Sequence, residues 1–411
     1  MTPRHEIAIA GCGPSGLAAA LLLHRQGHRV RLFERFREPQ PTGSGLILQP
    51  TGLAVLQQLG LAGELTARGS RIDRLFGLAI GRQTPVLDVR YAALKDGSFG
   101  VGTHRANLFD VLFKAVLAAG IPVETGCDIA AVSSAPGGGT GLVDRQGRAI
   151  GPFDLVIDAL GSRSPLLQHA VRPARQHALA YGALWANVPL APGFDAHALE
   201  QRYRRASVMV GVLPIGTLEG GPPLASLFWS LRSQDYPTWR ERGLAAWKAD
   251  VLRCWPQTEP LLDGIEHPDQ MLQAQYRHHT LPIPAGKGIA FIGDAAHSTS
   301  PQLGQGANMG LLDAAALDLA LRESGSVEAA LQRYAELRRF HIRFYQAASL
   351  LFTPFYQSDG RLLPLIRDRV VPIMAKLPGC DRLLALLVSG LLGASMERFG
   401  SVSPSREAKA A

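Results

Sequence analysis

Residues 6–34 read EIAIAGCGPSGLAAALLLHRQGHRVRLFE. The β-rich run 6–10 predicts a strand, 11–16 a turn, 17–26 a helix ended by Gly27, and 29–34 a second strand. Gly11, Gly13 and Gly16 stand in the spacing G-x-G-x-x-G. In such a frame the first glycine permits a tight turn, the second lets a pyrophosphate approach the backbone, and the third lets helix and strand pack closely. Pro14 and Ser15 fill the turn at the helix start, where free N–H groups and the positive dipole end favour phosphate. Glu34 ends the second strand, placed to accept hydrogen bonds from a ribose diol. Strand, turn, helix, strand and terminal acid in register predict a dinucleotide site. The motif alone does not choose between NAD and FAD.

The rest of the composition fits that start. The chain has 411 residues, 46% hydrophobic, with 44 Gly and 28 Pro, which suggests two connected domains. Only 18% are charged and apolar residues run throughout, so disorder is not expected. The net charge of +8 comes mostly from 36 Arg, scattered and not interleaved with aromatic residues, which argues against a nucleic-acid partner. A basic surface that gathers anionic cofactors, or sits near anionic lipid, is the milder reading. Cys12, Cys127, Cys254 and Cys380 form no CxxC pair and the histidines lack ligand spacing, so the expectation is no metal and a reducing cytoplasm. No run reaches the roughly 18 apolar residues of a membrane span, which predicts a soluble protein, peripheral at most.

Further along, residues 50–61 and 107–119 read as helices, 84–102 as strands and turns, and 121–124 and 155–159 as strands. Residues 135–141 (APGGGTG) read as a hairpin tip. Between 180 and 280, β-like runs at 206–213 and 224–231 and a helix at 239–254 predict a second, sheet-based domain. Residues 288–292 (GIAFI) return to a parallel-strand texture, and a helix is expected over 307–322. The last 90 residues read as mostly helical.

A second signature follows GIAFI. Gly293-Asp294-Ala295-Ala296-His297 stands at the strand end, Pro301-x-x-Gly304-Gln305-Gly306-Ala307-Asn308 opens the next helix, and Asp313 lies inside it. Asp294 is placed to hold a ribityl hydroxyl, and Gly304 and Gly306 let the backbone approach a flat ring. The helix start offers N–H groups to the negative N1/C2 region of a reduced flavin.

With both signatures the chain resembles the FAD-dependent aromatic hydroxylases, the single-component flavoprotein monooxygenases of the para-hydroxybenzoate and ubiquinone-pathway type. The resemblance spans residues 5–345. It rests on GCGPSG, Glu34-Arg35, Gly43-Ser44-Gly45-Leu46, His104-Arg105-Ala106-Asn107-Leu108 and GDAAHSTSPQLGQGAN. It implies an α/β fold in which a discontinuous Rossmann-type FAD-binding domain (1–75, 103–178 and 281–345) is interleaved with a β-sheet substrate domain (76–102 and 179–280), before a C-terminal helical region (346–411). Glu34 and Arg35 join the cofactor-binding set, Gly45 and Leu46 lie in a flavin-side loop, and Arg105 is a cofactor-binding arginine. Asp294 contacts the ribityl and pyrophosphate region, Gly304, Gln305, Gly306, Ala307 and Asn308 lie beside the isoalloxazine, and Pro301 is near its reacting edge. The implied cycle reduces FAD with NADH or NADPH, adds O2 as a flavin hydroperoxide, and transfers oxygen to a small aromatic, quinone-like or other electron-rich molecule. No catalytic base is identified. Tyr203, Tyr276, His278 and His279 fall in the implied substrate region, but each reads first as packing or surface.

One stretch departs from the family. Where Gly-Ala-Asp-Gly, then Ser and Arg, is usual, this chain has Asp158-Ala159-Leu160-Gly161-Ser162-Arg163-Ser164-Pro165-Leu166-Leu167. Leu160 stands for the Asp and Leu167 for the Arg, with Asp158 or Arg163 as candidate compensation, so the route of electrons from a nicotinamide stays open. An FAD-dependent reductase of prenyl double bonds and a non-enzymatic FAD-binding module are the alternatives. Halogenation is disfavoured, since the tryptophans at 185, 229, 239, 247 and 255 form no Trp-x-Trp. In the tail, apolar patches at 350–355, 362–366, 370–374 and 383–392 alternate with Arg361, Arg367, Arg369, Lys376 and Arg382. A lipid-seeking helical pair, a helical cap and a homodimer interface are the open readings.

Overall fold

The computed structural model describes residues 4–38, 43–81, 84–134, 138–375 and 377–394. Lys376, residues 135–137 of the expected hairpin tip and residues 395–411 lie outside the described residues. Among those described, a six-stranded sheet runs in the order Ala285–Gly286, Ile289–Phe291, Leu155–Asp158, Glu6–Ala10, Arg29–Glu34, Val123–Thr125. All its neighbours pair in parallel except the first two. The helix Pro14–Arg25 begins directly after Gly13, three residues before the sequence suggested, because proline suits the first helical turn. It is buried at every position from Gly16 to Leu23, which explains its unbroken apolar run. The helix Gly306–Glu323 packs beside it, and the long helix Val327–Tyr356 packs on that one in turn.

The second body is an eight-stranded sheet drawn from strands between Arg74 and Thr280 and closed by His297–Ser298. Its longest strand, Arg175–Pro189, is exposed over its first half and buried over its second. That switch of environment hides the period-two pattern and left the strand unread in the sequence. The strands Ile129–Ser134 and Thr140–Asp144 pair antiparallel across the expected hairpin. Gly100–His104 joins neither large sheet. It pairs with Gly45–Leu48 and Ser70–Ile72 in a small sheet between them. The tail forms the helices Leu362–Met374 and Cys380–Val388. No helix among the described residues is long and apolar enough to cross a membrane.

Candidate active site

The glycine turn is built as its spacing implied. Gly11 has φ +104°, and a Cβ there would lie 2.6 Å from the Ala159 carbonyl oxygen. Gly16 is tighter, with a Cβ 2.2 Å from the Gly11 oxygen. Gly13 differs from both: it caps the helix in an extended conformation, and a Cβ there would meet nothing within 4 Å. Ser15 turns its hydroxyl toward Gly293 and Gly310, where it wedges the turn against the second signature. Glu34 accepts from the Cys12 and Phe36 amides at 3.0 and 3.1 Å, so its carboxylate is tied to the turn. Arg35 points outward, its guanidinium 4.5 Å from the Phe36 ring.

The other motif residues converge on one cavity of about 530 Å³, within the roughly 300–1,000 Å³ usual for small-molecule pockets. Gly45, Leu46, Arg105, Asp294, Pro301, Gly304, Gln305, Gly306 and Ala307 all line it. The glycine turn does not, but it adjoins the cavity through Ala159 to Ser162 on one side and Gly293 to Asp294 on the other. Asn308 is also absent from the wall. It is fully buried, accepts from the Gln49 amide at 2.8 Å, and donates to the Ile47 and Gly304 carbonyls at 3.2 and 2.8 Å. Its amide therefore clamps the start of one helix to the strand Gly45–Leu48.

The cavity fits a flavin dinucleotide by its own features. Gly13 and Gln305 begin helices with no side-chain cap, which leaves backbone N–H groups free for an anionic partner. Asp294 is the exposed residue in a buried run, and among the described residues its carboxylate accepts no hydrogen bond. Gln49 lines the cavity next to Gly304. Its carbonyl accepts from Tyr91 at 2.5 Å while its buried Nε2 has no partner among the described residues. An unpaired buried amide is costly, so a hydrogen-bonding ligand is the natural complement. Sequence reasoning missed Gln49; its place between the strand Gly45–Leu48 and Pro50 was the available signal.

Of the four substrate-region candidates, Tyr203 and Tyr276 line the cavity. His278 and His279 do not. They bond to the Gln346 side chain at 3.3 Å and the Ala295 carbonyl at 2.8 Å, and burial pushes both imidazoles below their ordinary value. Leu384, Leu387 and Val388 of the last helix also line the wall, a contribution that no local motif in the tail points to.

The departing stretch is packed, not charged. Leu160 and Leu167 lie against the same apolar cluster, and Arg163 is exposed. Asp158 is fully buried and accepts from the Leu160 amide at 2.9 Å and the Ser164 hydroxyl at 2.5 Å. Its carboxylate thus holds its own turn. Burial outweighs these two bonds and pushes the Asp158 carboxyl up to about 6. A folded-state pKa above the unfolded one means that folding is disfavoured as the group ionises, so this contribution worsens as pH rises from about 4 to about 6. Asp158→Asn can still accept from the Leu160 amide, while its own amide nitrogen would donate to the Ser164 hydroxyl in place of accepting from it, and it is expected to gain about 2–3 kcal/mol more at neutral pH than near pH 4. Urea unfolding of both proteins at the two pH values checks this; equal differences would refute it.

With the geometry in place, comparison with known proteins agrees. The family model described as FAD binding domain matches residues 4–209 and 275–345, more than half of the chain. The chain is 26% identical over 416 residues to the hispidin-3-hydroxylase of Neonothopanus nambi, covering 89% of this chain and 93% of that one. It is 27% identical to the 6-methylpretetramide 4-monooxygenase of Streptomyces rimosus, over 94% of this chain and 92% of the relative. Among solved structures, HpxO of Klebsiella pneumoniae, complexed with FAD and uric acid, shares the fold with a TM-score of 0.81 at 18% identity, over 95% of this chain and 98% of that one. The chain belongs to this FAD-binding-domain family, and its class is that of the FAD-dependent monooxygenases.

Proposed function

We propose that the enzyme hydroxylates a small, uncharged and largely apolar aromatic or quinone-like molecule, with O2 as co-substrate and NADH or NADPH as electron donor. The composition of the cavity carries this reading. Its charged lining residues are Arg105, Arg277 and Asp294, and the remaining wall is dominated by Leu75, Leu199, Met209, Leu213, Phe228 and Leu387. That apolar stretch of the wall itself carries no cation among the described residues, so a substrate carboxylate buried against it, away from Arg105 and Arg277, would be unpaired, which is unfavourable. The polar groups there are neutral. Burial pushes the Tyr276 phenol up to about 12, and the Tyr203 phenol is raised as well, so both stay protonated near neutral pH. Tyr276 accepts from Trp185 Nε1 at 2.9 Å, which leaves its own proton for a substrate oxygen. Tyr203 donates to Gln201 Oε1 at 2.9 Å, and among the described residues the Gln201 amide nitrogen has only the Met209 sulfur at 3.5 Å. These groups orient a substrate; none is a base.

Bound FAD supplies the redox chemistry, taking electrons from a nicotinamide and activating O2. In this reading residues 1–75, 103–178 and 281–345 hold the cofactor, while 76–102 and 179–280 cover the substrate. The glycine turn would face the pyrophosphate, Glu34 the ribose, Asp294 the ribityl chain, and Gly304 to Ala307 with Gln49 the ring. Leu160 and Leu167 offer a nicotinamide no charge, so its recognition would fall to other residues.

The test is anaerobic flavin reduction by NADH or NADPH, with neutral phenols and quinolones compared with carboxylate-bearing analogues, followed by admission of O2. Neutral compounds should speed bleaching at least about tenfold over their carboxylated analogues and yield a product one oxygen heavier. Equal response to both sets would overturn the substrate class. A saturated double bond formed without O2 would favour the reductase alternative instead.

A further inference from the structure

The helix Leu362–Met374 is arranged inside out. Its buried residues are Pro364 and Arg367, whereas Leu362, Leu365, Ile366, Val370, Ile373 and Met374 are exposed. Leu362 is 67% exposed and Ile373 64%. These positions recur every three or four residues and form one stripe of the helix. On the inner side, Arg367 donates to the carbonyls of Phe355 and Arg205 at 2.9 and 3.0 Å and pairs with Asp368 at 2.7 Å. Its guanidinium lies 5.0 and 5.1 Å from the Tyr203 and Tyr356 ring centres. A surface helix ordinarily buries its apolar stripe and solvates its cations. Here the cation is satisfied within and the stripe faces out, with Leu377 and Leu383 also exposed just beyond it. A continuous apolar face of this kind marks a surface that something covers.

Charge selects the occupant. Arg361, Arg369 and Arg382 are exposed and form no ion pair among the described residues. The nearby carboxylates are engaged: Asp359 by Arg232 and Tyr181, Asp368 by Arg367, and Asp381 by the Arg382 amide. A second copy laid face to face would set these arginines against one another. The residues after Ala394 are largely small or polar, with Met396, Phe399 and Val402 as their large apolar side chains, a poor match for the stripe. An anionic bilayer satisfies both features, taking the apolar stripe into the headgroup boundary and neutralising the arginines.

We propose that the face formed by Leu362–Met374 and the start of the following helix docks on an anionic lipid surface. The same elements back the substrate cavity: Arg367 lies behind Tyr203 and Tyr356, and the last helix supplies Leu384, Leu387 and Val388 to the wall. Docking would therefore bring the cavity wall to the bilayer, which suits an apolar substrate drawn from lipid. That consequence depends on the apolar-substrate reading; the docking does not.

Flotation of the full-length holoenzyme with phosphatidylcholine vesicles and with mixed phosphatidylcholine–phosphatidylserine vesicles tests it. The protein should float with the mixed vesicles, at least about tenfold more than with phosphatidylcholine alone, and be released by high salt. The Ile366→Ser/Ile373→Ser variant should lose flotation while keeping its flavin absorbance and melting temperature, because both side chains are exposed and neither belongs to a buried core cluster. Arg361→Ser/Arg369→Ser should weaken binding to the mixed vesicles alone. Protein that stays soluble with both vesicles overturns the proposal. So does a dimer, seen by light scattering, that the isoleucine variant dissociates, since the face would then belong to a second copy.

Discussion

Gly13→Glu should abolish copurification of flavin while leaving the fold intact. The backbone at Gly13 is extended, a conformation any residue adopts, and a Cβ there would meet no atom of the described residues within 4 Å, which leaves open space for a side chain to start into. The apoprotein therefore has no steric reason to reject glutamate. A pyrophosphate at the helix start does. Two like charges about 4 Å apart repel by about 4 kcal/mol at an effective dielectric of about 20, close to a thousandfold in affinity. Even after solvent relaxation a loss of about a hundredfold should remain, read as the ratio of visible to protein absorbance and by titration calorimetry with FAD. Gly16→Val is the contrasting control. Its Cβ would stand 2.2 Å from a backbone oxygen of the same turn, so the helix itself must shift and the melting temperature should fall with the flavin. Flavin retained in Gly13→Glu would mean that the dinucleotide does not approach this turn.

That contrast also shows what a motif reveals and what it conceals. G-x-G-x-x-G is legible because its spacing and the strand, helix and strand around it are contiguous, even though Gly11 is also required by a distant neighbour, the Ala159 carbonyl. The second signature is half local. Asp294 and Gly304 to Ala307 reach the cavity, but Asn308 and Ser15, which a linear reading places at the cofactor, are spent on joining elements far apart in the chain. Asn308 ties its helix to Gln49 and Ile47, some 260 residues earlier, at an |i−j| of 259 and 261. The substrate wall is the least legible. Leu75, Leu199, Phe228 and Leu387 come from three strands and a helix. Which face of a strand turns inward depends on register, and a slip of one residue reverses it. The apolar run 383–392 was visible, but not its two-sidedness: Leu387 faces the cavity and Leu383 faces out.

Arg338→Leu should be the most damaging single change outside the glycine turn, at about 3–5 kcal/mol of stability. Arg338 is fully buried on the long helix and donates to Asp313 at 2.7 Å through Nε. Asp313 has no exposure either, and its second oxygen accepts from His297 Nε2 at 2.7 Å and from the Gly293 amide at 2.8 Å. Burial alone would raise the Asp313 carboxyl, but His297 and Arg338 outweigh it and hold the pKa below its ordinary value. By linkage, a depressed carboxyl stabilises the fold above the unfolded-state pKa and loses that contribution as pH falls through the folded one. Arg338 also donates to His341 Nδ1 at 3.2 Å, and His341 Nε2 then donates to the Gly390 carbonyl at 2.9 Å, so one guanidinium links Asp313 to the last turns of the tail. Burial, with Arg338 beside it, pushes the His341 imidazole down to about 3 and keeps it neutral. Leucine in place of Arg338 would leave the buried Asp313 charge with only its His297 and Gly293 bonds, and would take the donor from His341 Nδ1. Because Asp313 also holds the Gly293 amide, the turn that presents Asp294 should loosen, and flavin should be lost at temperatures below the global melt. The double variant Arg338→Met/Asp313→Leu removes both charges and should recover much of the stability, since a buried pair is costly chiefly when broken. It cannot restore the bond to Gly293, so its flavin should remain weakly held. Thermal unfolding followed separately by flavin fluorescence and circular dichroism would distinguish the two effects. A loss below about 1 kcal/mol in Arg338→Leu would show that the tail does not depend on this ionic link.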